Sequence, residues 1–394
     1  MLQSATLRGD CLIANNDELL AGLNWERLSF NSCGGRRGWG QLISVTRSAT
    51  EELLMMGGFD GLGQCLNDIW RSIDEGLSWE LLLDSAPWSS RAVFASCASS
   101  DGSRLYVMGG SSAEQGGFCS DVWSSSDGGY TWSEVTRAAD WQPRSGFAAL
   151  VSPWDALDVT VFGGSTLNFR CLNDIWRSTD GGLTWRCLAA CAPWAPRVDM
   201  GVCQLQDGTI VLSGGDDWDN RFFSDIWISK DRGCSWQQVV INSPSWAPRA
   251  GHSLLAMYDG SLRLIGGNVT CLKANKIFRE PDIERLADVW SSYDQGTTWR
   301  KITDATFGPR TLHRAVSTST GSIILFGGWR GVTGKWQQGN AFYSDVWRSR
   351  MNRQQCDLQK SWLASRLGHL VKTVGNDVWI NNILGFLFPV AVTR

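Results

Sequence analysis

Two kinds of charged side chain recur at matched places along this chain, and their chemistry allows either pairing or recognition. The arginines are Arg37, Arg91, Arg144, Arg197, Arg249 and Arg310. The aspartates are Asp68, Asp121, Asp174, Asp225, Asp288 and Asp345. A guanidinium holds a carboxylate through two parallel hydrogen bonds. The two sets could therefore pair inside the fold, or some arginines could stay free to bind an acidic ligand. Repetition favours pairing, because a ligand site rarely needs the same residue in every repeat.

The elements that position these residues follow from the repeat itself. Each aspartate opens an Asp-(Val/Ile)-Trp motif, and a Gly-Gly pair precedes each motif. The pairs begin at Gly57, Gly109, Gly163, Gly214, Gly266 and Gly327, with a period of 51 to 54 residues and a last step of 61. A unit of about 50 residues that holds four short strands is one blade of a β-propeller. The sequence predicts an all-β protein, a six-bladed β-propeller of four-stranded antiparallel blades.

The repeat that starts at Arg144 shows the expected order of strands. Residues 145–151 suit an inner strand, and residues 159–162 form a β-rich second strand that ends at the Gly-Gly pair. Residues 173–178 alternate polar and apolar like a half-buried third strand, and residues 184–188 form the outer strand. In this order, the segment between blades and the loop between strands two and three lie on one face. We expect all six arginines and all six aspartates around the channel mouth on that face.

The repeats resemble two known patterns across about residues 24–350. The Gly-Gly pair, the Asp-(Val/Ile)-Trp strand and the following Trp are similar to a kelch repeat. The segment Ser-x-Asp-x-Gly-x-(Ser/Thr)-Trp resembles the Asp box, or BNR repeat, of sialidases. It begins at Ser72, Ser125, Ser178, Ser229 and Ser292. The Asp-box resemblance implies structural turns between strands three and four. The kelch resemblance implies a role for the opening arginines, which line the pocket for acidic peptides in kelch adaptors of ubiquitin ligases.

The two ends of the repeat region indicate how the ring closes. The sixth Asp box is incomplete, because Met351 stands where the Asp would be, whereas Trp25 near the N-terminus aligns with the Trp of an Asp box. We therefore expect residues 23–30 to form the outer strand of the blade begun at residue 314, so that an N-terminal strand closes the propeller. The expected organisation is an extension at 1–22, a kelch/Asp-box propeller at 23–350, and a degenerate partial repeat or poorly ordered tail at 351–394.

Two loops on the arginine-bearing face are longer than the others. In blade five the aspartate stands twenty-one positions after the second glycine of the pair, and in blade six it stands seventeen positions after it. Trp329, Arg330 and Trp336 in the second loop are candidate ligand contacts, since Trp and Arg are the commonest binding anchors. The first loop is rich in charge and contains Arg285. Plain surface insertion without function is the alternative, because loops tolerate extra length well.

Composition narrows the function classes. Charged residues make up 19% of the 394 residues and the net charge is −3, so nothing indicates a nucleic-acid or membrane partner. Twelve Cys occur without a C-x-x-C pair, and only three His are present. We expect buried free thiols, no structural metal and no cofactor. The first twenty residues do not resemble a signal peptide, so a cytoplasmic protein is expected, with secretion as the alternative if the N-terminus is incomplete.

The sequence favours a non-catalytic scaffold over an enzyme. We expect it to bind a protein or peptide, with an acidic peptide as one option, through the face that carries the six opening arginines, Trp329, Arg330 and Trp336. The alternative is a carbohydrate-binding or carbohydrate-active propeller, either sialidase-like or sugar-acid isomerase-like. A sialidase needs a Tyr–Glu pair, and a galactose oxidase-like copper site needs Tyr and His together. The five Tyr and three His are not placed in either pattern, so we assign no catalytic residues.

Overall fold

A computed structural model describes residues 23–29, 35–47, 50–60, 62–219, 221–242, 246–271, 282–331 and 342–350 of the chain. The expected extension at 1–22 and the expected partial repeat at 351–394 lie outside these ranges. Regular structure within them is strand throughout. No helix among the described residues is long and apolar enough to cross a membrane.

The strands of the first three blades follow the order expected from the repeat, after one strand that belongs to the last blade. That first strand is β1 (Asn24–Ser29). Blade one contains β2 (Arg37–Gly38), β3 (Gln41–Arg47), β4 (Thr50–Asp60), β5 (Cys65–Ser72) and β6 (Glu80–Leu83). Blade two contains β7 (Ala95–Ala98), β8 (Leu105–Ser112), β9 (Gly117–Ser125) and β10 (Ser133–Thr136). Blade three contains β11 (Ala148–Ser152), β12 (Asp155–Ser165), β13 (Cys171–Ser178) and β14 (Arg186–Ala189).

The remaining blades repeat this arrangement. Blade four contains β15 (Gly201–Gln204), β16 (Ile210–Ser213), β17 (Ile226–Ser229) and β18 (Gln237–Gln238). Blade five contains β19 (Ser253–Ala256), β20 (Leu262–Cys271), β21 (Asp282–Ser292) and β22 (Arg300–Asp304). Blade six contains β23 (Arg314–Ser317), β24 (Ile323–Phe326) and β25 (Val346–Arg350), and β1 completes it. Each blade is an antiparallel four-stranded sheet, with the two-residue β2 as an addition at the end of β4.

The six blades form a closed ring. Their inner strands contact one another in the order β3, β7, β11, β15, β19 and β23, and β23 contacts β3 again. Six apolar clusters fill the six interfaces between neighbouring blades. Between blades one and two, Trp88 lies edge-on to Trp132 with ring centroids 4.6 Å apart. The predicted six-bladed β-propeller is confirmed, and its core is distributed between the blades.

The N-terminal strand closes the sixth blade as predicted. Strand β1 pairs antiparallel with β25, so that Trp25 lies opposite Ser349. The Trp25 ring packs edge-on against Phe307, with centroids 4.8 Å apart. Arg348 on β25 donates to Glu26 on β1 at 2.6 Å. A strand from one end of the repeat region thus covers the edge left by the other end.

In blades one, two, three and five the Gly-Gly pair marks a bulge inside the second strand, whereas β16 and β24 end directly before their pairs. In blade three, β12 continues through Gly163 and Gly164 to Ser165, with a register shift between Phe162 and Gly164. The expectation that the second strand of this repeat ends at the pair is therefore wrong. Both glycines have positive φ, +51° and +93°. A Cβ on Gly164 would lie 2.8 Å from the Ser145 carbonyl oxygen, so the close approach of two backbones requires glycine here.

The turns between strands three and four have the internal hydrogen bonds expected for them. Asp180 accepts from the Thr184 amide at 3.0 Å and from the Thr184 hydroxyl at 2.6 Å. The Ser178 hydroxyl accepts from the Gly182 amide, and Trp185 Nε1 donates to the Gly182 carbonyl. The four other copies repeat these contacts. The turn aspartates thus stabilise the fold, between strands three and four of the first five blades.

Candidate functional site

Each opening arginine forms an ion pair with the aspartate of its own blade. Arg144 donates to the two carboxylate oxygens of Asp174 at 2.7 and 2.8 Å and to the Gly163 carbonyl at 2.8 Å. Trp176 Nε1 donates to the same carboxylate at 2.7 Å. The other pairs are Arg37–Asp68, Arg91–Asp121, Arg197–Asp225, Arg249–Asp288 and Arg310–Asp345, at 2.6 to 2.8 Å. All six arginines are at most 1% exposed.

The same arginines also join neighbouring blades through their backbones. The Arg197 amide donates to the Leu172 carbonyl of blade three, and the Gly164 amide of blade three donates to the Arg197 carbonyl, both at 3.0 Å. The structure therefore shows the pairing alternative, in which the arginines brace the ring. A ligand could reach one of these guanidiniums only by displacing its aspartate. A direct ligand role for the six arginines stays a prediction.

The arginine-bearing face is built as the repeat order requires. The residue after each opening arginine pairs with the residue directly after the Gly pair of its own blade, as Ser145 does with Ser165 and Thr311 does with Trp329. The segments between blades and the loops between strands two and three therefore meet on one face, which we call the loop face. In blade five, part of the long loop extends the hairpin itself, since Cys271 pairs with Asp282.

Aromatic side chains from blades one and six gather on the loop face. Trp39 stacks on Trp329 with centroids 6.4 Å apart and an interplanar angle of 28°. Trp39 also packs against Phe59 at 5.8 Å and against Phe342 at 5.3 Å. We call Trp39, Phe59, Trp329 and Phe342 the aromatic patch. Phe342 is buried, whereas the other three rings are partly exposed.

An arginine from blade five lies on this patch. The Arg285 guanidinium carbon is 4.3 Å from the centre of the Trp329 ring, at stacking distance. One Nη of Arg285 donates to the Ile283 carbonyl at 2.7 Å, and its Nε is buried without a partner among the described residues. Burial lowers the pKa of Arg285. Within the described ranges, no carboxylate pairs with this guanidinium.

Of the three predicted loop residues, Trp329 belongs to the aromatic patch. Arg330 follows it on the loop and is exposed. Trp336 lies outside the described residues, so its contribution stays a prediction. The structure brings Trp329 next to Arg285, which the sequence had placed in a different loop.

The sequence matches a known family over most of this framework. The profile of the KLHDC2/KLHL20/DRC7 Kelch-repeats domain matches residues 42–267 and, in an overlapping match, residues 95–328. The chain belongs to the kelch-repeat family. The family match bears on the kelch part of the resemblance, and the Asp-box part rests on the turn geometry alone.

Several proteins are similar to this kelch propeller. An F-box/kelch-repeat protein of Arabidopsis thaliana is 24% identical over 327 residues, covering 78% of this chain and 57% of the relative. A putative adagio-like protein 2 of Oryza sativa subsp. japonica is 28% identical over 274 residues, covering 64% of this chain and 41% of the relative. The chain thus spans about half the length of these curated relatives. The solved structure of YjhT superposes with a TM-score of 0.62 at 15% identity, covering 80% of this chain and 95% of that one, which supports the fold alone.

The axis of the kelch propeller carries two charged groups that the sequence analysis missed. Asp199 and Arg314 line one cavity of about 160 Å³ near the start of the inner strands. Burial raises the pKa of Asp199 to about 6, although the charge of Arg314 partly opposes this shift. Nearby, burial and then the charge of Asp199 raise the pKa of Asp216 to about 7. A comparison of equivalent positions across the six blades would have identified Asp199 and Arg314, because each is the only charged residue at its position in the repeat.

The two histidines of the inner strands pack inside the kelch propeller. His252 and His313 are 3% and 0% exposed, and His252 Nε2 lies 2.9 Å from the Ser213 hydroxyl. Burial, followed by the charge of Arg249, lowers the pKa of His252 to about 3. Across the described ranges, no group of three or more His, Cys, Asp or Glu side chains is arranged to hold a metal ion. Eight of the cysteines in these ranges carry free thiols.

Proposed function

We propose that this kelch propeller is a non-catalytic scaffold that binds a protein or peptide through its loop face, with Arg285 and the aromatic patch as the principal contacts. One observation supports this proposal above the others. Arg285 is partly buried, stacked on Trp329, and has no carboxylate partner among the described residues. It contrasts with the six opening arginines, each of which already holds an aspartate.

The stacking makes Arg285 suited to binding an acidic group. A guanidinium fixed against an aromatic ring loses little side-chain freedom when it forms two hydrogen bonds to a carboxylate. Because it already lies partly out of water, its attraction to an incoming anion is screened less than at an open surface. An Asp or Glu of the ligand would also relieve the unfavourable burial that lowers the pKa of Arg285.

The aromatic patch supplies the apolar part of the contact. The partly exposed Trp329 ring lies against the guanidinium, and the partly exposed rings of Trp39 and Phe59 continue the patch from it. The buried Phe342 packs against both Trp39 and Phe59. Aromatic rings next to an arginine are the usual composition of a binding hot spot. We therefore propose a ligand with an acidic residue next to an apolar one. The similar F-box/kelch-repeat protein joins kelch repeats to another module, and the proposal concerns the kelch part alone.

Peptide display on the full chain tests this proposal. We expect selected peptides to be enriched in Asp or Glu beside an apolar residue, relative to peptides selected on an unrelated propeller. Arg285→Met keeps the length of the side chain and removes its charge, while Trp329→Ala removes the ring. Each should weaken binding of a selected peptide at least tenfold, which is about 1.4 kcal/mol.

Two variants on other faces serve as matched controls. Arg186→Met lies on the exposed outer strand β14, and Trp154→Ala removes a ring that is 57% exposed in the β11–β12 turn. Both should bind the selected peptide like the parent. Absence of any enriched motif, or equal binding by Arg285→Met and Trp329→Ala, would overturn the proposal. Glycan-array binding that depends on Trp329 without peptide binding would replace it by the carbohydrate alternative.

A further inference from the structure

Two positions at the axis break the sixfold pattern of the propeller. The residues two places after the opening arginines are Trp39, Val93, Gly146, Asp199, Gly251 and Leu312. The residues four places after them are Gln41, Ala95, Ala148, Gly201, Ser253 and Arg314. Only Asp199 in the first set and Arg314 in the second carry a charge. A ligand site that occurs once in the ring must use residues that are not repeated in every blade. Asp199 and Arg314 are two such residues, and their position at the axis indicates a site.

The first of these sets forms a belt of backbone hydrogen bonds around the axis. All six residues have positive φ, between 51° and 61°. The Asp199 amide donates to the Gly146 carbonyl and the Gly251 amide donates to the Asp199 carbonyl, both at 2.9 Å. The belt therefore uses the backbone of Asp199 and leaves its side chain free. Glycine occupies the position in two blades and suits the conformation better, so the fold does not require an aspartate here.

The carboxylate of Asp199 has no partner within the described parts of the chain. It accepts no hydrogen bond and forms no ion pair there, and it faces the cavity that Arg314 also lines. Glycine at position 146 leaves room for it, since a Cβ there would lie 3.0 Å from Asp199 Oδ1. An unpaired carboxylate that is largely withdrawn from water into a cavity is costly, and such groups cluster at binding sites.

The Arg314 guanidinium also has hydrogen-bond donors that are not used among the described residues. Its Nε donates to the Gly40 carbonyl at 3.2 Å, and its two Nη atoms have no partner among the described residues. It does not form an ion pair with Asp199, although each group influences the pKa of the other. The cavity thus holds a cation and an anion that are close enough to interact and too far apart to satisfy each other.

We propose that this cavity binds a small zwitterion, whose cationic group pairs with Asp199 and whose anionic group pairs with Arg314. Phe94, Phe147 and Met200 supply apolar walls around the two charges. The volume of about 160 Å³ resembles that of an engineered cavity of roughly 150 Å³ that takes up one benzene. The ligand is therefore a molecule of about six heavy atoms. The residues that line this cavity do not include Arg285 or the aromatic patch, and the proposal does not rest on peptide binding.

Ligand-observed NMR and calorimetry on the full chain test the proposal with defined probes. Glycine, β-alanine and 4-aminobutyrate are zwitterions with increasing charge separation. Propylamine and propionate are of similar size and carry one charge each. At least one zwitterion should bind at least tenfold more tightly than either single-charge probe. Asp199→Asn and Arg314→Gln should each weaken that binding at least tenfold, while Arg314→Lys should retain part of it.

Matched controls separate this site from general charge effects and from the loop face. Glu134→Gln and Arg186→Gln change exposed charges on outer strands and should bind the zwitterion like the parent. Arg285→Met should also leave zwitterion binding unchanged, whatever it does to peptides. The proposal is overturned if none of the three zwitterions binds at up to about 10 mM. It is equally overturned if Asp199→Asn and Arg314→Gln, folded by circular dichroism, bind as the parent does.

Discussion

Arg91 and Asp121 form a two-point ion pair in which the arginine side chain is fully buried. The two Nη atoms lie 2.8 and 2.7 Å from the two carboxylate oxygens, and the aspartate side chain is 13% exposed. The arginine backbone also bonds to blade one, because the Arg91 amide donates to the Leu66 carbonyl at 3.0 Å. Arg91 thus neutralises a carboxylate of its own blade, and its backbone holds blade one against blade two.

We expect Arg91→Met to lower the free energy of unfolding by about 3–5 kcal/mol, because it leaves the Asp121 carboxylate buried without its cation. Asp121→Asn combined with Arg91→Met should be less harmful than the sum of the single changes, since no uncompensated charge remains. Urea unfolding followed by Trp fluorescence measures both. Arg186→Met, on an exposed strand, should change stability by less than about 0.5 kcal/mol. A loss below 1 kcal/mol for Arg91→Met would contradict the bracing role.

The closing strand β1 should stabilise the propeller mainly through the packing of the Trp25 ring, and less through the charge of Glu26. Trp25 packs on Phe307 at the junction of blades five and six, so Trp25→Ala should cost about 3 kcal/mol and make blade six the first region to be cleaved by protease. Glu26→Ala removes a carboxylate that is 51% exposed and should cost less than about 1 kcal/mol. Limited proteolysis with mass spectrometry, alongside thermal unfolding, makes the comparison. Equal effects of the two variants would argue against closure by packing.

Repetition explains what the sequence could predict. The Gly-Gly pairs and the Asp-(Val/Ile)-Trp motifs occur six times, so the blade boundaries and the place of Trp25 followed from comparing copies. Repetition favoured the pairing of Arg144 with Asp174 but left a ligand role for the arginine open. Features that occur once were harder to find. The approach of Trp39 to Trp329 joins opposite ends of the repeat region, and it depends on ring closure rather than on any local pattern.

The axial charges were missed for a related physical reason. A single aspartate two residues after Arg197 looks like surface variation until the ring places it beside a cavity shared with Arg314. Its raised pKa comes from burial, which the sequence does not reveal. Arg285 is similar, because the absence of a carboxylate partner among the described residues can be recognised only when its surroundings are known.

We expect the turn aspartates to contribute less to the free energy of unfolding at acid pH than at neutral pH. Burial alone would raise the pKa of Asp180, but hydrogen bonds from Thr184 and Ser178 outweigh burial and lower the pKa below its usual 3.8. A lowered folded-state pKa means that the carboxylate stabilises the fold above pH 4 and that this contribution is lost as the pH falls through the folded-state value. Asp180→Ala should therefore cost about 1–2 kcal/mol at pH 7, with a smaller difference from the parent at pH 3.

Urea unfolding at both pH values tests the turn prediction. Glu134→Ala, an exposed carboxylate on an outer strand, serves as the control and should differ little from the parent at either pH. A cost of Asp180→Ala that stays constant from pH 7 to pH 3 would show that the ionised carboxylate is not the stabilising group.

The contribution of Asp199 to the free energy of unfolding should change with pH in the opposite direction to that of Asp180. Its folded-state pKa is raised from 3.8 to about 6 by burial, so between these values the folded protein binds more protons than the unfolded chain. Its contribution therefore reduces the free energy of unfolding as the pH rises from about 4 to about 6, and the penalty persists above pH 6.

Asp199→Asn removes this charge and should stabilise the ligand-free protein at pH 7.5 by about 1–3 kcal/mol, with the gain shrinking towards zero near pH 4. Urea unfolding of parent and variant across this range measures the difference. The charge of Asp199 also raises the pKa of Asp216, so Asp199→Asn lowers that pKa as well, and both effects stabilise the variant at pH 7.5. Arg314 and the neutral His252 line the same cavity in both proteins. If Asp199→Asn were destabilising at pH 7.5, the carboxylate would have a structural partner, and the argument that it is held free for a ligand would fail.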